Sequence, residues 1–261
     1  MVVRSIVGLS VAVLLAVVGL RVDAADKDAK GPEILAVDSV SLVPGTNVVL
    51  RLRGLKLDGA RELRISGARG AVTSEIREAK KSDPPSGLEA KHVGDIRVEV
   101  GLVVPPELAP GDWEIRLVTP AGETPPRKLR VVDPAGRVEE REPNGGFREA
   151  QAVEAGQVIR GRIQSDKDVD VYRVKGRAGT RFTAEVFAAR GGSLLDGVLS
   201  IYDMRGRLLA AQDEGEGGDR DPRIECLLPA DGDYFLVVVD AHDRGGEWHP
   251  YELSVGVIAG P

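Results

Sequence analysis

The sequence predicts an all-β protein: two β-sandwiches in tandem behind a cleaved signal peptide. Three observations lead there. Short apolar runs separated by turn residues recur from Pro32 to Val257. Many of these runs alternate apolar and charged residues with period two, the mark of strands buried on one face only. The 32 glycines and 16 prolines punctuate the chain often, which suits many short strands and turns better than long helices.

Taken in order, residues 1–24 read as the signal peptide. Arg4 supplies a positive start, Ile6 to Leu20 is an uncharged apolar run, and Val22 and Ala24 place small residues at −3 and −1 of a cleavage site. The competing reading is a membrane anchor, but the run is shorter than the roughly 20 residues a spanning helix needs, and Arg21 and Asp23 follow at once. Residues 25–31 form a charged leader. The first sandwich is expected over 32–133, with strands at Val48–Arg53, Leu63–Ile65, Ile96–Val100, Trp113–Leu117 and Leu129–Val131, and a mobile loop from Glu78 to Gly94. Residues 134–139, with Pro134 and Gly136, read as a linker. The second sandwich is expected over 140–258. Its strands are Val158–Ile163, Val169–Val174, Phe182–Phe187, Val198–Asp203, Arg207–Ala211, Arg223–Leu228, Tyr234–Val239 and Tyr251–Val257, after one short helical piece at Phe147–Val153.

Composition narrows the function. Hydrophobic residues make up 42% of the 261, enough for a buried core, but aromatics only 4%, so Val, Leu and Ile must fill it. A net charge of −6 with no basic stripe argues against nucleic acid as a partner. Cys226 is the single cysteine, so no internal disulfide can form. The mature chain has no second apolar stretch long enough for membrane insertion, and the expected location is periplasmic or extracellular. No G-x-S-x-G, H-E-x-x-H or P-loop motif is present, and no catalytic residues are assigned.

One cluster carries candidate chemistry. Glu140, Glu142 and Asn144 are spaced by two, and on an extended segment alternate side chains share a face about 6.5–7 Å apart. Pro143 biases Glu142 toward that extended form. Asp166, Asp168 and Asp170 add oxygens just before a strand. Calcium takes six to eight oxygen ligands in flexible geometry, so these six residues form a candidate Ca²⁺ site. The alternative is an ordinary solvated acidic linker and turn. The acidic run Asp213–Asp221 reads as a solvated loop, His242 and His249 as a polar turn rather than a zinc site, and Cys226 as a small buried hydrophobe. Trp248 reads as a cap on the sandwich end, with a sugar-stacking platform as the competing role.

The second half resembles the bacterial pre-peptidase C-terminal domain. The resemblance is carried by Glu142-Pro143-Asn144, Gly161-Arg162-Ile163, Asp168 to Val174, Gly192 to Asp196, Leu199 to Asp203, Gly232-Asp233-Tyr234 and Tyr251-Glu252-Leu253. It implies a jelly-roll-like sandwich appended to secreted proteins, often peptidases, and itself non-catalytic. It also implies calcium bound through residues matching Glu140, Glu142, Asn144 and Asp170. Gly145 and Lys167 depart from that pattern where other members carry acidic residues. The first half resembles an immunoglobulin-like domain of the IPT/TIG type, through Val48 to Leu57 and Ala109 to Gly122. The expected function is a non-catalytic binding module for an extracellular or envelope protein or polysaccharide. The alternatives are a structural or targeting accessory of a secreted peptidase, and an unrecognised hydrolase whose paired carboxylates leave no short motif.

Overall fold

The computed structural model describes residues 31–67, 72–215 and 218–258. The expected signal peptide, and the leader up to Lys30, lie outside these residues. The regular structure among the described residues is almost all strand.

The first sandwich contains β1 (Glu33–Val37), β2 (Ser41–Leu42), β3 (Asn47–Leu55), β4 (Glu62–Ser66), β5 (Thr73–Lys81), β6 (Ile96–Val103), β7 (Gly111–Thr119), β8 (Gly122–Glu123) and β9 (Arg127–Val131). One sheet runs β1-β3-β6-β5; the other runs β2-β9-β7-β4, with β8 on β7. Alternation decides which side chains face inward. Leu50, Leu52, Val98, Val100 and Leu102 from one sheet meet Trp113, Ile115, Leu117, Leu129 and Val131 from the other, all buried.

The strand β5 corrects the sequence reading, which began a mobile loop at Glu78. β5 pairs with β6 as far as Lys81↔Ile96, through a bulge between Ile76 and Glu78. It was hidden because its exposed face and much of its inner face are polar. The segment after it contains a short helix, α1 (Ala90–Val93). The segment is fastened by Arg53, only 3% exposed, whose guanidinium donates to the carbonyls of Ser82, Asp83 and Gly94 and to Ser82 Oγ at 2.8–3.0 Å. Gly94 has φ +77°, and a Cβ there would lie 2.1 Å from Gly54 O, so glycine is required.

The second sandwich contains β10 (Arg137–Glu139), β11 (Gln151–Val153), β12 (Val158–Arg162), β13 (Asp170–Gly176), β14 (Arg181–Phe187), β15 (Gly197–Asp203), β16 (Leu208–Gln212), β17 (Arg223–Leu227), β18 (Gly232–Asp240) and β19 (Pro250–Ile258). Its sheets run β10-β12-β19-β14-β17 and β11-β13-β18-β15-β16. Two expectations are corrected here. The Phe147–Val153 segment is no helix: residues 147–149 form a turn and 151–153 are β11, parallel to β13. A helix of one or two turns is marginal alone, and here the Gln151 side chain is used across the chain, donating to Glu139 O and accepting from Arg141 N. Arg137–Glu139, read as linker, is β10, parallel to β12.

Each strand pairs only within its own half, yet the halves meet along an extensive seam. The Val37 amide donates to Gly192 O at 3.0 Å. Phe187 of β14 is buried in the core cluster of the first sandwich, under the Arg130 guanidinium at 4.1 Å. Arg162 and Arg160 reach Asp38 O and Ser39 Oγ, and Ser41 Oγ donates to Glu252 Oε1. Arg51 and Arg97 pair with Glu247, and Arg53 lies 5.7 Å from the ring of Trp248. The charged outer face of β3 and β6 is therefore partly covered.

Candidate metal centre

After β10 the chain leaves the sheet, and residues 140–150 contain no strand. Glu140, Glu142 and Asn144 still converge, but through side-chain bonds rather than strand alternation. Asn144 Nδ2 donates to Glu140 Oε1 at 3.2 Å, and the Asn144 amide donates to Glu142 Oε2 at 2.9 Å. The Arg162 amide donates to Glu140 Oε2 at 3.0 Å, which ties Glu140 to the end of β12. Asn144 is fully buried, and its carbonyl accepts from the Val171 amide of β13. That bond docks the segment against Asp170, the first residue of β13. Carboxylate oxygens of Glu140, Glu142 and Asp170 all lie within 4.8 Å of one another.

Two tyrosines complete the cluster, and sequence reasoning gave them no role in it. Tyr172 and Tyr251 are both buried, their hydroxyls 2.6 Å apart. Tyr172 Oη is 2.6 Å from Glu140 Oε1, and Tyr251 Oη is 2.6 Å from Asp170 Oδ2. The signal was Gly161: it pairs with Tyr251 across β12 and β19, and a Cβ at Gly161 would strike that ring at 2.4 Å. Proton counting is informative. The chain Asp170–Tyr251–Tyr172–Glu140 has three short contacts, and the two hydroxyls supply two protons. The third must sit on a carboxyl. Burial, then the neighbouring Glu140 charge, push Asp170 up to about 9, so Asp170 holds it when no cation is near. Burial also pushes Glu142 up, with Asp168 and Glu140 adding to the rise. Both tyrosines are held well above their ordinary range, first by burial.

The residues fit a hard cation. Asn144 Oδ1 and Asp170 Oδ1 are buried with no hydrogen-bond partner, a costly arrangement for two acceptors. With Glu140 and Glu142 they form an all-oxygen donor set rich in carboxylates, the chemistry calcium takes. Asp168 lies close enough to raise both Glu142 and Asp170, but its own oxygens accept from the Gln164 and Val169 amides and close the turn. Asp166 is placed elsewhere. Lys167 adopts φ +65°, which breaks the alternation between Asp166 and Asp168, and Asp166 Oδ1 accepts from the Gly245 amide instead.

The remaining candidates have structural employment. Asp221 accepts from the amides of Ala189 and Arg190 and from Arg190 Nε, so the acidic run ends in an anchored turn rather than a solvated one. His242 pairs with Asp196 at 3.3 Å, while His249 is buried 4% exposed. Trp248 is buried at the seam and offers no open face to a sugar. Cys226 is half-buried on β17, and burial raises its thiol.

Among the described residues, no helix is long and apolar enough to cross a membrane. No curated protein matches the chain. Among solved structures, the pre-peptidase C-terminal domain of a collagenase from Bacillus anthracis is 18% identical with a TM-score of 0.33, over 44% of this chain and 99% of that one. PliG, a periplasmic inhibitor of g-type lysozyme from Aeromonas hydrophila, is 16% identical with a TM-score of 0.33, over 42% and 97%. SGBP-B of a Bacteroides ovatus mixed-linkage glucan utilization locus, solved with a heptasaccharide, is 10% identical with a TM-score of 0.27, over 83% and 72%. The resemblance of the first half to the IPT/TIG type rests on its sequence motifs alone. In the second half, the segment from Asp168 to Asp240, which spans β13 to β18, matches the family model of the bacterial pre-peptidase C-terminal domain.

Proposed function

We propose that the mature chain is an exported, non-catalytic binding module that contacts protein or polysaccharide in the envelope or outside the cell, and that it is stabilised by calcium. Support for the module reading comes from the family match over 168–240. The calcium reading is carried by one observation: two buried, unpartnered oxygens, Asn144 Oδ1 and Asp170 Oδ1, beside the carboxylates of Glu140 and Glu142. In this reading Glu140, Glu142, Asn144 and Asp170 hold Ca²⁺, which replaces the proton on Asp170. The ion fastens the segment after β10 onto β13. Gly145 contributes no side chain, so water completes the coordination.

Calorimetric titration of the mature chain with CaCl₂ tests the metal: saturable heat near one equivalent is expected, and no heat in chelator-treated protein overturns it. Affinity capture from the culture fluid and the envelope fraction of the source cells tests the module. Retention on envelope polysaccharide or a surface protein supports it. Capture of a secreted peptidase instead favours an accessory role, which the family description also suits.

A further inference from the structure

The seam between the sandwiches holds a cleft of about 450 Å³, within the range of about 300–1,000 Å³ usual for small-ligand sites. One wall is the Asp38–Arg51 stretch of the first sandwich; the other is Arg137, Arg160 and Arg162. Four guanidiniums line it against one carboxylate, Asp38, and Arg51 already holds that carboxylate at 3.1 Å. Among the described residues, no carboxylate lies within salt-bridge distance of Arg162, whose only side-chain bond is to Asp38 O. Arg137 and Arg160 share Glu139 at the rim, at 2.9 and 4.0 Å.

A purely structural role would have these arginines neutralise buried Glu252. They do not bond to it: Glu252 Oε1 takes the Ser41 hydroxyl, and Oε2 has no partner. Burial pushes the Glu252 carboxyl up, while the Ser41 hydroxyl and the nearby Arg137, Arg160 and Arg130 charges pull it the other way, so Glu252 takes part of their field but none of their donors. Three guanidiniums therefore converge on a roomy cleft with donors left over, and the planar fork of arginine matches a carboxylate or phosphate. The hydroxyls of Ser39, Ser41 and Thr46 line the same space; their protons go to Ser41 O, Glu252 Oε1 and Val43 O, which leaves their oxygens as acceptors for sugar hydroxyls.

We infer that this cleft is an anion subsite, in which Arg137, Arg160 and Arg162 take the acidic group of a charged sugar unit in a polysaccharide. The inference deepens the binding-module reading and rests on it. It also explains why the site needs both halves, since each wall belongs to a different sandwich.

The test uses the full mature chain and a trigalacturonate probe, with neutral dextran oligosaccharide and inorganic phosphate as separate arms. Trigalacturonate is expected to bind and to weaken with added salt, while dextran does not. Arg160→Gln and Arg162→Gln should each weaken binding by at least about tenfold, and Arg181→Gln, outside the cleft and paired with Glu225 at the start of β14, should leave it unchanged. Because Arg162 also ties the seam, a second readout on wild type is needed. Trigalacturonate should protect Arg160 and Arg162, but not Arg181, from phenylglyoxal as read by mass spectrometry. Binding of phosphate as tight as that of the sugar acid would assign the site to phosphate groups and overturn the sugar-acid assignment. Equal binding by the variants, or no protection, would overturn the cleft. If the protein is then still retained on envelope polysaccharide or a surface protein, the module reading survives; if it is retained on neither, both fall.

Discussion

Without a divalent cation, Asp170→Asn is expected to flatten the pH dependence of melting and to leave the variant at least as stable as wild type at pH 7.5; in calcium the order reverses. The sign follows from the raised pKa. Folded Asp170 titrates near 9, whereas the ordinary value is 3.8. Between these two values the folded chain keeps a proton that the unfolded chain has lost. The stabilising contribution is therefore complete below about pH 4 and drains away as pH rises toward 9, by up to about 1.4 kcal/mol per pH unit. For a chain of this size that is about 3–6 °C of melting temperature per unit. Asparagine is nearly isosteric with the protonated acid and does not titrate, so the slope between pH 5.5 and 7.5 should largely vanish. Calcium at a hundred times its Kd adds about 2.7 kcal/mol to wild type and should add little to the variant, which lacks the charge. The assay is differential scanning calorimetry at pH 5.5, 6.5 and 7.5, in chelator and in calcium. If Asp170→Asn in chelator keeps the wild-type slope and melts well below wild type at pH 7.5, Asp170 is ionised in the folded chain and the proton argument is wrong.

Glu142→Gln should weaken calcium binding by about tenfold or more, read by titration calorimetry, while barely moving the melting temperature in chelator, read by scanning calorimetry, because Glu142 is exposed. Magnesium should stabilise wild type far less than calcium, since it demands a tighter octahedron; equal shifts would argue against the site. Phe187→Ala removes a side chain 1% exposed that sits in the core of the neighbouring sandwich, and should cost about 3–5 kcal/mol, lowering melting by roughly 10 °C. The exported protein should begin at Ala25, which intact-mass measurement decides.

The sequence disclosed strands wherever one face was apolar. β6 and β7 were legible because Val98 and Val100, or Trp113, Ile115 and Leu117, alternate with charges. β10 and β11 were not: each has three residues and pairs in parallel with a partner distant in sequence, so neither periodicity nor a hairpin turn announces it. The site followed the same logic. Glu140, Glu142, Asn144 and Asp170 were named from spacing and resemblance, and they converge. Asp166 was misplaced because alternation assumes an extended chain, and the left-handed Lys167 interrupts it. The hydroxyls of Tyr172 and Tyr251 went unremarked, since a tyrosine inside an apolar run looks like packing until its oxygen finds a neighbour.

The polarity that concealed β5 has a further consequence. β5 is the last strand of its sheet, and among the described residues no strand pairs with its outer backbone edge. Glu75, Arg77, Glu78, Lys80 and Lys81 stand along it, and the Ile76/Glu78 bulge breaks its register. A second chain docking there would have to desolvate these charged side chains and follow a kinked ladder. The charges that leave β5 little to add to the core thus also discourage fibril growth. Sequence optimisation that replaced Glu75 and Lys80 with valine would raise β-propensity and, by the same act, open a templating surface.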